Sequence, residues 1–227
     1  MPATDIKTLR KTVLVRFFLL LTFFGVSLFA VSGTLKYWQA QAYIITLLLP
    51  MSAFAIYMLK TNPEFLERRM KTREKRKPQK IIQLAGLLLF LLIYVLPALD
   101  KRFAWSNVPS VVSISALAIV LLSYLLILYV FLINSYAARV VEVEKGQKVI
   151  TKGPYAIVRH PMYAGSLLFY CFTPLAPGSF WGLVPALFLP VIFIVRLLDE
   201  EKELTENLEG YREYIQKVRY RLIPGIW

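Results

Sequence analysis

Residues 108–133 read VPSVVSISALAIVLLSYLLILYVFLI, an unbroken apolar run without a charged side chain. As an α-helix it would measure about 39 Å at 1.5 Å per residue, more than the roughly 30 Å of a bilayer's hydrocarbon core. Working outward, 17–35, 43–59 and 81–99 are also uncharged and of spanning length or close to it. Pro50 in the second is tolerated in lipid when neighbouring helices satisfy the carbonyl it frees. A fifth uncharged stretch, 164–195, contains Pro174-Leu175-Ala176-Pro177-Gly178, a breaker cluster that predicts a helical hairpin turning near 174–180. The expected fold class is all-α: a polytopic membrane protein of four spans plus a C-terminal transmembrane hairpin, giving five to six membrane helices, followed by a cytoplasmic amphipathic tail helix.

Composition agrees with that reading. Of the 227 residues 57% are hydrophobic and 18% charged, and the mean hydropathy is +0.56; soluble domains average about 45–50% and 25%. The net charge of +13 would suit nucleic acid if the basic residues shared one folded face, but they lie in the gaps between apolar runs. A single cysteine, Cys171, and a single histidine, His160, exclude an intrachain disulfide and a metal site built from several such ligands. The first apolar run follows Lys7, Arg10, Lys11 and Arg16 without a small-residue cleavage site, so it is expected to be retained as a span.

The basic residues set the expected orientation. Nine lysines and arginines fall in 60–80 and five in 134–160, against Lys36 or the pair Lys101 and Arg102 in the opposite loops. The positive-inside tendency places the rich segments, both termini and 196–227 on the cytoplasmic side. The run through 68–80 is expected to meet anionic lipid; it has no interleaved aromatics of the kind a single-stranded nucleic-acid site uses, so no nucleic-acid partner is expected.

Polar chemistry gathers after residue 150. We divide the chain into N-terminal spans with their basic loop, 1–150, and a catalytic region, 151–227, within one integrated domain. Pro161 suits the first position of a helix, which puts Arg159 and His160 at a helix N-terminus, where backbone donors, the helix dipole and a guanidinium make an anion site. A positive-inside arginine and a satisfied helix-capping histidine explain the same residues. Further on, Leu197, Glu201, Leu204, Leu208, Tyr211, Ile215 and Val218 follow the spacing of one helical stripe, interrupted only by Gly210. Glu201 falls inside the stripe, and a carboxylate on a packed face needs a partner. A structural Glu–Arg pair and a ligand contact meet that need equally; periodicity does not separate them. No G-x-G-x-x-G, P-loop or nucleophile elbow occurs, which leaves reactions that need chiefly a cosubstrate, orientation and a water-poor site.

These residues carry a resemblance. Gly153-Pro154-Tyr155, Val158-Arg159-His160-Pro161, Tyr163, Gly165, Arg196, Glu200-Glu201, Leu204, Gly210-Tyr211, Tyr214, Val218 and Arg221-Leu222-Ile223-Pro224 resemble the C-terminal region of integral-membrane S-adenosylmethionine-dependent methyltransferases, the isoprenylcysteine carboxyl methyltransferase and phospholipid N-methyltransferase superfamily. About a third of the chain is covered. The resemblance implies a methyltransferase with S-adenosylmethionine as cofactor, S-adenosylhomocysteine as product and a lipophilic or lipidated acceptor, such as an isoprenylcysteine-like carboxylate. It implies cofactor-binding roles for Tyr155, Arg159, His160, Pro161, Tyr163, Gly165, Glu200 and Glu201, and catalytic roles for Arg196, Glu201 and His160. The sequence departs from its relatives at Leu208, where they often carry Phe. Sterol- or steroid-type NADPH-dependent membrane reductases share an Arg-His-Pro-x-Tyr-x-Gly segment, but usually have Asn and an acidic residue where this chain has Met162 and Ser166. A non-catalytic scaffold of the same fold is the reading from a different class.

Overall fold

A computed structural model of the protein describes residues 5–70, 77–137, 143 and 146–227. Among the described residues it is helical, without strands. Helix α1 (Ile6–Phe24) continues through a wider turn over Gly25–Ala30; α2 is Trp38–Thr61, α3 Pro63–Met70, α4 Lys77–Phe103 and α5 Ser110–Ile133. Among the described residues, four helical stretches are long and apolar enough to cross a membrane: Ile6–Ala30, Trp38–Thr61, Ile81–Phe103 and Ser110–Ile133. They match the four expected spans with shifted ends: the first begins and ends earlier, the second is longer at both ends, the third runs further to Phe103, and the fourth starts at Ser110. The first starts at Ile6 because the Asp5 side chain accepts from the Lys7 N–H at 3.1 Å, an N-cap that sets the helix start ahead of the apolar run.

The C-terminal half departs from a simple hairpin and tail. Helix α6 (Pro161–Phe172) is followed by turns, the short α7 (Leu183–Ala186) and then α8 (Leu189–Asn207). Tyr163 faces Arg196 and Glu200 while Tyr170 stacks on Phe193, so α6 and α8 run antiparallel. Leu183–Ala186 and Leu189–Asn207 are separate helices, with prolines at 185 and 190 that each remove an N–H from the ladder. The tail is not one amphipathic helix either. Helix α8 carries straight on from the hairpin limb to Asn207 and stops; Gly210, at φ 80°, takes the left-handed conformation open to glycine, and α9 (Tyr211–Lys217) starts in a new direction. The stripe from Leu197 to Val218 is therefore split between two helices.

Packing explains where the hairpin sits. Gly165 lies against α5, where a Cβ would come within 3.0 Å of Ile127 Cγ1 and 3.4 Å of the Ser123 carbonyl; only a residue without a side chain lets the two helices approach so closely. Tyr43 Oη shares hydrogen bonds with Tyr94 Oη (2.8 Å) and Thr173 Oγ1 (3.2 Å) inside an aromatic cluster with Phe24 and Phe90. The hairpin turn reaches the far ends of α2 and α4. Tyr37 Oη donates to the Pro177 carbonyl at 2.7 Å, and Ser179 Oγ donates to Asp100 Oδ2 at 2.5 Å.

Asp100 is the knot at that end. It is 1% exposed, and besides Ser179 it accepts from the Ser106 N–H at 2.7 Å and from the Ser106 hydroxyl. A buried carboxylate so fully occupied ties the α4–α5 loop to the hairpin turn, because each donor would otherwise be stranded. Replacing Asp100 with Ala should cost roughly 3 kcal/mol and appear as a lowered melting temperature in detergent, with Asp100→Asn falling in between; an unchanged melting temperature would show that the knot is dispensable.

Candidate functional site

The opposite end of the bundle holds the polar residues singled out by the sequence. Arg16 Nη2 donates to the Met70 carbonyl at 2.7 Å and Arg68 Nη1 to the Ser135 carbonyl at 3.2 Å. The middle of α1, the end of α3 and the residues just after α5 are thereby gathered together. Of the basic run expected to face lipid, Arg68 lies over the Tyr136 ring at 5.5 Å and Arg69 over Phe131 at 4.5 Å; both pack on protein, and residues 71–76 lie outside the described residues.

The segment before α6 is built by turn chemistry. Gly153 takes φ 59°, a short 3-10 turn covers Gly153–Ala156, and Pro161 opens α6 with His160 as its N-cap residue, as the sequence predicts. Arg159 N–H then donates to the Tyr220 carbonyl (2.9 Å) and His160 N–H to the Arg221 carbonyl (3.0 Å). Two residues that sequence analysis placed at a helix N-terminus are thus pinned from behind by the C-terminal segment.

Glu201 sits at the junction, 7% exposed. Arg221 Nε donates to its Oε2 at 2.7 Å. Arg159 Nη1 lies 3.1 Å from Oε1 and His160 Nε2 3.6 Å from it, ion-pair distances without the alignment of hydrogen bonds. Burial alone would raise the carboxyl, but His160, Arg221 and Arg159 outweigh it and bring Glu201 from 4.5 down to about 2. Glu200, one step round α8, faces elsewhere. Tyr163 Oη donates to Glu200 Oε2 at 2.6 Å and accepts from Arg196 Nε at 3.1 Å, so a tyrosine hydroxyl is held between a carboxylate and a guanidinium.

These groups border a cavity of about 860 Å³, its open mouth included, whose walls comprise Asn134 and Tyr136 after α5, the 147–150 loop, Tyr155, Arg159, His160, Tyr163, Arg196, Glu200, Tyr211 and Tyr214. Asn134 Nδ2 donates to Tyr155 Oη at 2.8 Å and Tyr214 Oη to the Tyr155 carbonyl at 2.8 Å, which locks Tyr155 between α5 and α9. Burial pushes the Tyr155 hydroxyl up to about 12. Of the expected site residues, Tyr155, Arg159, His160, Tyr163, Arg196 and Glu200 come together in this wall. Pro161, Gly165 and Glu201 are not among the described lining residues: Pro161 starts α6, Gly165 packs on α5, and Glu201 is turned towards Arg159 and Arg221.

Three buried side-chain atoms of lining residues have no hydrogen-bond partner among the described residues: Arg159 Nε, His160 Nε2 and Tyr211 Oη. Such orphans are costly; His160 Nε2 still faces Glu201 Oε1 at 3.6 Å, which leaves the Tyr211 hydroxyl as the buried group on this cavity best placed to meet a polar ligand. Burial, with Glu201 and Glu200 nearby, raises the Tyr211 hydroxyl, so it stays protonated as a donor. The sequence marks Tyr211 twice, in the packing stripe and in the Gly210-Tyr211 pair of the resemblance, but assigns it no site role. Asn134 and Tyr136 carried no signal beyond their place at a span's end.

The depressed Glu201 carboxyl has a consequence for stability. A group whose pKa is lower folded than unfolded contributes stability that is complete above the unfolded value and lost as pH falls through the folded one. The melting temperature should therefore fall between about pH 4.5 and 2, and Glu201→Gln should flatten that limb while lowering stability at neutral pH. An unaltered acid limb in the variant would mean that other carboxylates carry it.

Comparison with known proteins adds the family. Residues 111–212 match the phospholipid methyltransferase family, and no curated protein matches the chain. The matched stretch opens in α5, ahead of the segment on which the sequence resemblance rests, takes in α6, α8 and the start of α9, and holds most of the residues that line the cavity. Together with four helices among the described residues that are long and apolar enough to cross a membrane, the match over residues 111–212 is a similarity to the phospholipid methyltransferase family and supports a membrane methyltransferase in general terms.

Proposed function

We propose that the cavity binds S-adenosylmethionine and that the protein methylates a lipophilic acceptor, an isoprenylcysteine-like carboxylate or another lipid-like molecule. The observation that carries this reading is the buried Tyr211 hydroxyl, which has no hydrogen-bond partner among the described residues, on a cavity that Arg159, His160 and Glu200 also line. Their chemistry fits the cofactor. A carboxylate is matched by the Arg159 guanidinium and the Tyr211 hydroxyl, an ammonium or ribose hydroxyl by Glu200, and a purine by the tyrosine faces and the imidazole edge. When bound, the cofactor supplies a methyl group on a sulfonium, which is transferred by direct displacement.

The chain's own part is to hold, orient and keep dry. Tyr163, gripped by Glu200 and Arg196, fixes the position of both charged groups. Arg196 is the cation suited to an acidic acceptor, and Glu200 or His160 the group suited to taking a proton from an amine. In this reading Glu201 acts behind the wall, through Arg159 and His160. The active site and both termini are assigned to the cytoplasmic side, a reading supported by the basic segments that gather at the cavity end, and the run 68–80 to the anionic leaflet.

Titration calorimetry of the detergent-purified protein with S-adenosylhomocysteine tests the proposal, with NADPH as control. Saturable binding of the nucleoside product is expected. Tyr211→Phe should weaken it about ten-fold, the worth of one hydrogen bond of roughly 1 kcal/mol or slightly more, while the ligand-free protein melts no lower, since a buried orphan has been removed. Binding of NADPH in place of the nucleoside would overturn the reading.

A further inference from the structure

The contacts of Glu201 continue into the end of the chain, beyond the matched region. Arg221 meets the site twice: its side chain donates to Glu201 Oε2 and its carbonyl accepts from His160 N–H. It is itself held from the other side. The Trp227 carbonyl accepts from the N–H groups of Arg221 (2.9 Å), Leu222 (3.0 Å) and Ile223 (3.2 Å), and Trp227 N–H donates to the Ile223 carbonyl at 3.1 Å. Gly225, at φ 82°, makes the reversal that this pattern requires. The guanidinium carbon of Arg221 lies 5.2 Å from the centre of the Trp227 ring, within reach of the attraction between a cation and an indole face. Trp227 also packs on the buried cluster of Tyr163, Leu197 and Leu222.

We propose that residues 220–227 form a clasp that sets the geometry of the cavity wall. Arg221 is a positioning residue acting through Glu201 on Arg159 and His160, and Trp227 holds its guanidinium in place. Arg221 provides the aligned hydrogen bond on Glu201, whereas Arg159 and His160 share the other oxygen at ion-pair distances. With Arg221 removed, the carboxylate is free to rotate, and the two groups that depend on it lose a fixed partner. The role rests on reading the cavity as the cofactor site.

The test is calorimetric titration of the full chain in detergent with S-adenosylhomocysteine, reading affinity and the number of sites separately. Arg221→Ala should weaken binding on the order of ten-fold, the scale of coupling within one ion-pair network, with the number of sites per chain unchanged. Trp227→Ala should weaken it in the same direction by less, Trp227→Phe should restore it by returning a ring beneath the guanidinium, and the double variant should bind no more weakly than Arg221→Ala. Affinities within about two-fold of the unaltered protein, or fewer sites at unchanged affinity, would overturn the clasp, the second result showing a role in folding alone. If Arg221→Ala does not fold, the comparison of Trp227→Ala with Trp227→Phe decides in the same way. Binding lost only in the variants bears on the clasp, whereas absence of binding by the unaltered protein overturns both the clasp and the cofactor reading.

Discussion

A carboxylate withdrawn from water has to be met by positive charge or donors, and in this protein Glu201 is that carboxylate. Its two oxygens join three separate stretches: the turn before α6 through Arg159 and His160, helix α8 on which it sits, and the C-terminal segment through Arg221. Removing one member of such a group leaves the others buried and uncompensated. The cavity wall therefore depends on an interaction that lies behind it, and the backbone pairing of 159–160 with 220–221 reinforces the same junction.

The adjacent Glu200 has a different position. A helix turns 100° between neighbours, so two consecutive glutamates on α8 point to different surroundings. Glu201 points into protein and cations; Glu200 points to the cavity, with Tyr163 and Arg196. One short acidic pair thus supplies both a structural junction and a cavity-facing group, and Tyr163 joins the second of these to α6.

The far end of the bundle follows the same physical rule with other residues. Asp100 gathers hydroxyl and backbone donors from two loops much as Glu201 gathers cations, and the hairpin turn is held by Tyr37 and Ser179. Between these two polar ends the contacts are aromatic and aliphatic, with Gly165 allowing α6 to lie close to α5. The short α6 therefore has both ends fixed, and its first turn, which carries Tyr163, is held in register with α8.

Much of this was legible beforehand. Four helices of spanning length follow from uninterrupted apolar runs, because a backbone in lipid must satisfy its own hydrogen bonds. The helix start at Pro161, with Arg159 and His160 before it, follows from the ring that fixes proline's φ. The sequence also showed that Glu201 needed a partner, and the family match agrees with the resemblance carried by Arg159, His160, Tyr163 and the Glu200-Glu201 pair. What it left open was direction. Spacing places residues on a helix only while the helix lasts, and Gly210 ended it, so Tyr211 moved from an assumed packing stripe to the cavity wall. The separate orientations of Glu200 and Glu201, the withdrawal of Gly165 to the α5 contact, the enlistment of Asn134 and Tyr136 and the return of Trp227 onto Arg221 are contacts between segments far apart in the chain. Local pattern carries no record of such contacts; only tertiary packing decided them.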